Sequence, residues 1–198
     1  MLDNNEYILH KYASTKEVDS VEKLKSINFF YYYINLGIGH NRWATHGPKN
    51  DINAHPHISN NGKIIIVHNG IIENFSKLKN FLINDGFKFY SGTDTEVIAN
   101  LLEYNSRNEP DFMKVIKTTI DILSGTYGLI ILNKEENNKM YCVRNGSPLL
   151  LGYNEEYAII TSEQSGFCNK VNTYLTLHND DIACIELINN KLDVKYNS

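Results

Sequence analysis

Residues 64–74 read IIIVHNGIIEN. Four aliphatic residues and His68 run into the pair Asn69-Gly70. Asn-Gly between two apolar strands is the strongest short signal for a tight hairpin. Here Ile71-Ile72-Glu73-Asn74 leads toward a helical pattern rather than a pairing strand. The hairpin case is weakened, and a second reading opens. An Asn side-chain amide beside a glycine N–H is also the donor pair that can hold a developing oxyanion.

Upstream lies His40–His57, HNRWATHGPKNDINAHPH, with four of the chain's seven histidines, its only tryptophan and an arginine. His55-Pro56-His57 sets two imidazoles two residues apart, which raises a metal site. No HExxH is present, and Asp51 is the only carboxylate between His40 and His68. Imidazoles that hydrogen-bond and order the loops around a pocket account for the run better. Arg42 could be a solvated surface residue or a planar fork for a carboxylate. Trp43 taken alone reads as core. Asp94, in Thr93-Asp94-Thr95-Glu96, is explained by the positive helix N-terminus unless a ligand ammonium lies near it.

Outward from these motifs the pattern is mixed. Strands are expected at Glu6–Tyr12, Gly37–Ala44 and Lys63–His68. Ser14 with Glu17, and Thr93 with Glu96, read as capping boxes that open helices. The first helix uses Val18, Val21 and Leu24. A second buries Phe75, Leu78, Phe81 and Leu82 and stops at Gly86. The helix after Thr93 is buried through Val97, Ile98, Leu101 and Leu102. Another uses Phe112, Val115, Ile116, Thr119 and Leu123. Beyond Gly125 the chain turns β-rich, at Tyr127–Leu132, Met140–Arg144, Leu149–Tyr153, Tyr157–Thr161, Asp181–Ile188 and Lys191–Val194. Helices and strands are grouped rather than alternating, which favours antiparallel or mixed sheets covered by helices.

Composition narrows the class. The 198 residues are 42% hydrophobic and 21% charged with net charge -4, ordinary for one globular domain and unsuited to nucleic acid as partner. The longest purely aliphatic runs, Ile64–Val67 and Leu129–Leu132, are far short of a membrane span, so no membrane partner is expected. Cys142, Cys168 and Cys184 are few, odd in number and without CxxC spacing. They suggest neither a disulfide framework nor zinc, each is expected to be a small buried residue, and a cytoplasmic location is the simplest reading.

Together the motifs are specific. RWATHG (42–47), NAHPH (53–57), HNGIIEN (68–74) and TDTEVIA (93–99) occur in order and resemble the glutaminase domain of the glutamine–fructose-6-phosphate aminotransferases. Leu123–Gly128, Arg144–Leu149 and Asp180–Ala183 agree, and the resemblance spans essentially the whole chain. It implies one glutaminase-type domain over residues 1–198 of the N-terminal-nucleophile type. That is an α+β fold, a four-layer α/β/β/α sandwich of two antiparallel sheets. It also implies hydrolysis of the glutamine side-chain amide, with ammonia passed to a sugar-isomerase domain that makes glucosamine 6-phosphate.

Carried over by motif, Arg42 clamps the glutamine α-carboxylate, while Asp94 and the Gly70 backbone hold its ammonium. Asn69 and the Gly70 N–H form the oxyanion hole. Thr45, His46 and His55 line the pocket, and Trp43 gates the ammonia path. No cofactor or metal is implied. The family's nucleophile is an N-terminal cysteine whose α-amine acts as base, but this chain starts Met1-Leu2-Asp3. The expectation is therefore a fragment without its first strand, first helix and isomerase half, inactive as it stands, and homo-oligomeric only at full length. A glutamine-binding module without catalysis is the alternative, and a metal-dependent hydrolase using the histidines ranks third.

Overall fold

The computed structural model describes residues 2–3, 6–27, 35–42, 48–189 and 191–197. In chain order the elements are β1 (Leu2–Asp3), β2 (Glu6–Tyr7), α1 (Ser20–Lys25), β3 (His57–Ile58) and β4 (Ile64–Ile72). There follow α2 (Phe75–Asn84), α3 (Asp94–Ser106), α4 (Phe112–Ile120), β5 (Gly125–Asn133) and β6 (Lys139–Asn145). The chain ends with β7 (Leu150–Tyr153), β8 (Ala158–Thr161), β9 (Tyr174–Thr176), β10 (Ile182–Ile188) and β11 (Lys191–Asn197).

Two main antiparallel sheets and their helices, beside a separate two-stranded ladder of β1 and β2, make an α+β architecture. The larger sheet has the order β11-β10-β6-β5-β4-β3, the smaller β8-β7-β9. Period-2 alternation divides β5, β6 and β10 of the larger sheet between two cores. Ile64, Ile66 and Ile72 of β4, Leu129 and Ile131 of β5 and Val143 of β6 pack under Ile98 and Leu102 of α3 and Val115 and Ile116 of α4. On the other face Cys142, Ala183 and Ile185 meet Leu149 and Leu151, with Ile130, Ile160 and Leu175 packed around them. Outside the helical layer, Leu78 and Leu82 of α2 close on Val97 and Leu101 of α3. Beyond the smaller sheet, Phe167 of a 3-10 turn (Gln164–Phe167) lies against Gly152, where an added Cβ would meet it at 2.9 Å.

α3 is the pivot. Its residues from Asp94 through Leu102 are all buried, because it lies between α2, α4, β3 and β4. A helix packed on all sides shows little amphipathic contrast. Its N-terminus departs from a capping box. Thr93 makes no side-chain cap bond; its hydroxyl faces His57 Nε2 at 3.0 Å and Ser91 Oγ at 3.0 Å. Glu96 reaches back past it, accepting from the N–H groups of Tyr90 and Ser91.

The other box is also displaced. α1 is capped by Asp19, which accepts from the Val21 N–H at 2.7 Å, and Ser14 bonds Ser20 instead. A carboxylate two residues from that N–H outcompetes the more distant serine. The strand expected at Gly37–Ala44 forms no ladder over residues 37–42, and residues 43–47 lie outside the described set. Phe81, expected on the buried face of α2, is 46% exposed. Cys142 and Cys184 are buried, but Cys168, beyond the 3-10 turn, is exposed.

Candidate functional site

Asn69-Gly70 is neither a hairpin turn nor the end of the strand. Both residues lie inside β4, paired with Gly128 and Tyr127 of β5. The motif works because Gly70 has φ +136° and sits against β5 so closely that an added Cβ would lie 2.1 Å from the Thr126 carbonyl oxygen. Gly125 does the same from the other strand, with φ +124° and 2.1 Å to the Ile71 oxygen. Only glycine tolerates both the backbone angle and the approach.

Register then decides where the Gly70 N–H goes. Glu73 donates to Ser124 O, and Lys134 donates to Lys63 O. Odd-numbered residues of this strand therefore bond toward β5, and even-numbered residues turn away. Ile72 shows it directly: its N–H leaves the sheet and is taken by Asp94 Oδ2 at 2.9 Å. Gly70, two residues earlier, turns its N–H toward that same edge. β3 covers this edge only opposite Ile65 and Ile66.

The Asn69 side chain is exposed and meets His40 Nε2 through its Oδ1 at 2.6 Å. With the oxygen engaged, the amide –NH₂ is left for the cavity. Burial lowers the His40 pKa, the hydrogen bond with Asn69 acting against it. The His40 ring meets His55 edge to face at 4.1 Å between centroids. Beneath them, Thr95 Oγ1 lies 3.0 Å from His55 Nε2 and 3.1 Å from His68 Nδ1. Burial drives the His55 pKa far below its ordinary value, and His57 is pushed down to about 3 for the same reason. Both are neutral imidazoles at neutral pH. Among the described residues no group of three or more His, Cys, Asp or Glu side chains is arranged to hold a metal ion.

These groups surround one cavity of about 310 Å³, a size suited to a small ligand. Of the residues singled out in the sequence, Arg42, His55, Asn69, Gly70 and Asp94 line it. Trp43, Thr45 and His46 lie outside the described residues. His40, His68, Thr93, Thr95 and Thr126 also line it. The first two had a visible signal, since they flank the arginine and the Asn-Gly pair. Thr126 belongs to the Leu123–Gly128 stretch that agrees with the resemblance, but only cross-strand pairing brings it to the cavity. None of the three cysteines lines the cavity. A second cavity of about 460 Å³ shares the wall of His40, Asn41, Arg42 and His55.

The cavity wall carries groups of both charge signs. Arg42 supplies a planar cation that stays protonated at any working pH. Asp94 is 4% exposed and supplies an anion, and its charge opposes the lowering of the Arg42 pKa by burial. Asn69 and Gly70 line the same cavity.

Residues 40–169 match the family model described as a glutamine amidotransferase domain. The glutamine–fructose-6-phosphate aminotransferase (isomerizing) of Thermococcus kodakarensis is 42% identical over 171 residues, 86% of this chain and 28% of that protein. Its namesake from Methanococcus maripaludis is 39% identical over 184 residues, 90% of this chain and 30% of the relative. The chain thus spans less than a third of either protein. Among solved structures, the glutamine phosphoribosylpyrophosphate amidotransferase of B. subtilis superposes with a TM-score of 0.63 at 26% identity, covering 79% of this chain and 33% of that one.

Proposed function

This chain belongs to the glutamine amidotransferase domain family, and from that premise we propose that its cavity binds L-glutamine and serves hydrolysis of the side-chain amide. One observation carries the reading: Arg42, Asp94 and the pair Asn69-Gly70 come from three separated motifs and line one cavity. Arg42 takes the α-carboxylate as a fork. Asp94, with the Gly70 backbone, takes the α-ammonium. The carbonyl oxygen then lies at the Asn69 amide and the Gly70 N–H, where charge develops when a thiolate attacks. The nucleophile is not Cys142, Cys168 or Cys184, since none reaches the cavity.

The likeness to the aminotransferases extends the proposal to the whole protein. Ammonia released here serves the conversion of fructose 6-phosphate to glucosamine 6-phosphate by a sugar-isomerase domain, in a cytoplasmic homo-oligomer. Trp43, Thr45 and His46 complete the pocket and its ammonia exit by resemblance alone. A second reading, glutamine binding without cleavage by the 198-residue polypeptide, is favoured because no thiol lines the cavity among the described residues.

Calorimetric titration tests the proposal. L-Glutamine binds with one site per chain and D-glutamine does not. Arg42→Lys weakens binding, because an ammonium cannot reproduce a bidentate contact. An Arg42→Lys chain that binds as well as the parent excludes the reading. Glutamate release measured in the same samples separates binding from cleavage.

A further inference from the structure

We propose that His40 is a positioning residue: its Nε2–H holds Asn69 Oδ1 and thereby turns the Asn69 –NH₂ into the cavity as an oxyanion donor. The assignment rests on the glutamine reading of the cavity and adds the residue that gives Asn69 its direction. Asn69 needs one. Its side chain is exposed on a strand, and the terminal torsion of an asparagine is broad and nearly two-fold. Left alone, the carboxamide presents its carbonyl to the cavity about as readily as its –NH₂, and a carbonyl there repels an oxyanion.

The 2.6 Å contact between His40 Nε2 and Asn69 Oδ1 removes that ambiguity. An amide oxygen only accepts, so the contact requires the tautomer with the proton on Nε2. The ring is held in turn. His40 is half-buried and packs edge to face on His55. His68 Nε2 faces the Thr126 carbonyl at 3.4 Å, which places its proton on Nε2 and leaves Nδ1 as acceptor. The Thr95 hydroxyl then donates to His68 Nδ1 and accepts from His55 Nε2–H. One set of protons satisfies all these contacts. The chain runs from β5 through His68, Thr95 and His55 to the ring that orients Asn69. His40 keeps its Nε2 proton whether neutral or charged, so the orientation survives changes of pH.

Two measurements on the 198-residue chain test this. Long-range proton–nitrogen NMR at neutral pH reads the His40 tautomer. The proposal requires a protonated Nε2. A bare Nε2 with the proton on Nδ1 overturns it, because Asn69 would then offer its nitrogen to the ring and its carbonyl to the cavity. The second measurement is calorimetric titration with L-glutamine and with L-homocysteate, whose tetrahedral sulfonate replaces the glutamine amide. His40→Ala weakens L-homocysteate by about tenfold, the scale of one hydrogen bond to a charged group, and leaves L-glutamine within about a factor of three. His40→Gln, whose amide N–H can donate to the same oxygen, recovers most of the loss. A His40→Ala chain that binds both ligands as the parent does overturns the assignment of His40 alone. Equal weakening of both ligands assigns His40 to the pocket's general structure and overturns positioning. A parent chain that binds neither ligand overturns the glutamine reading, and the assignment with it.

Discussion

Asp94, the first residue of α3, accepts the backbone N–H of Ile72 at 2.9 Å, and so fixes the helix start to the strand that carries Gly70. Among the described residues the same carboxylate is the only acidic side chain on the cavity wall. The structural role and the proposed binding role are therefore separable at one position. Asp94→Asn keeps an oxygen for the Ile72 N–H and removes the charge. It is expected to lose glutamine affinity with little loss of stability. Asp94→Ala strands a buried N–H and is expected to cost about 1–3 kcal/mol as well. Urea unfolding of the two variants, read beside their glutamine titrations, checks the split. Equal stability loss in both removes the hydrogen bond from the account.

Gly70 leaves no room for a side chain. Gly70→Ala places a methyl 2.1 Å from the Thr126 oxygen at a φ of +136°. Neither strand can give way, since Gly125 sits as tightly against Ile71 in return. Destabilisation above about 3 kcal/mol is expected, from strained backbone and clash together. A thermal midpoint within a few degrees of the parent would show that the strand relaxes freely.

Acid weakens the fold through its buried imidazoles. His57 is 4% exposed, with its pKa pushed down to about 3 by burial. In the unfolded chain the value is about 6.5. The unfolded state therefore binds the proton first as pH falls. Stability from keeping this ring neutral is complete above pH about 6.5 and is lost between there and about 3. At pH 5 the loss from His57 alone is about 2 kcal/mol. His57→Gln, compared with the parent in urea at pH 7.5 and pH 5, is expected to flatten the dependence by that amount. An unchanged slope means that the ring is not held neutral.

The donor pair makes a kinetic prediction. In a chain extended to carry an N-terminal cysteine, Asn69→Ala is expected to lower kcat by roughly a hundredfold with KM little changed, as removal of one oxyanion donor does. Arg42→Lys raises KM instead. Steady-state glutamate release measures both. A loss confined to KM in Asn69→Ala would move that residue from transition-state stabilisation to ground-state binding.

Much of this was legible in the sequence, for identifiable reasons. The helices after Asn74 and Thr93 announced themselves by apolar spacing and by Gly86, and the β-rich half by its apolar runs and turn residues. β3 and β9, two and three residues long, carry too little period to be seen. The capping boxes misled because competing acceptors were nearer: Asp19 took the α1 cap, and Thr93 was drawn to His57. The cavity residues came from short motifs, so Arg42, Asn69, Gly70 and Asp94 were nameable in advance. Asn-Gly was half misread, since its hairpin signal and its actual place in mid-strand share one cause, the positive φ of glycine. The positions of Thr126 and of the His55–Thr95–His68 chain depend on pairing across some thirty to sixty residues, which no local pattern encodes.

Everything proposed for the cavity depends on Arg42 and Asp94 holding the two charged groups on the α-carbon of a single glutamine. A crystal structure of the chain with L-glutamine tests it most directly. The account predicts the α-carboxylate on the Arg42 guanidinium and the α-ammonium on Asp94, each within hydrogen-bonding distance of about 3.2 Å, with the side-chain carbonyl toward Asn69 and the Gly70 N–H. Glutamine bound elsewhere, or in this cavity with its carboxylate away from Arg42, would contradict it.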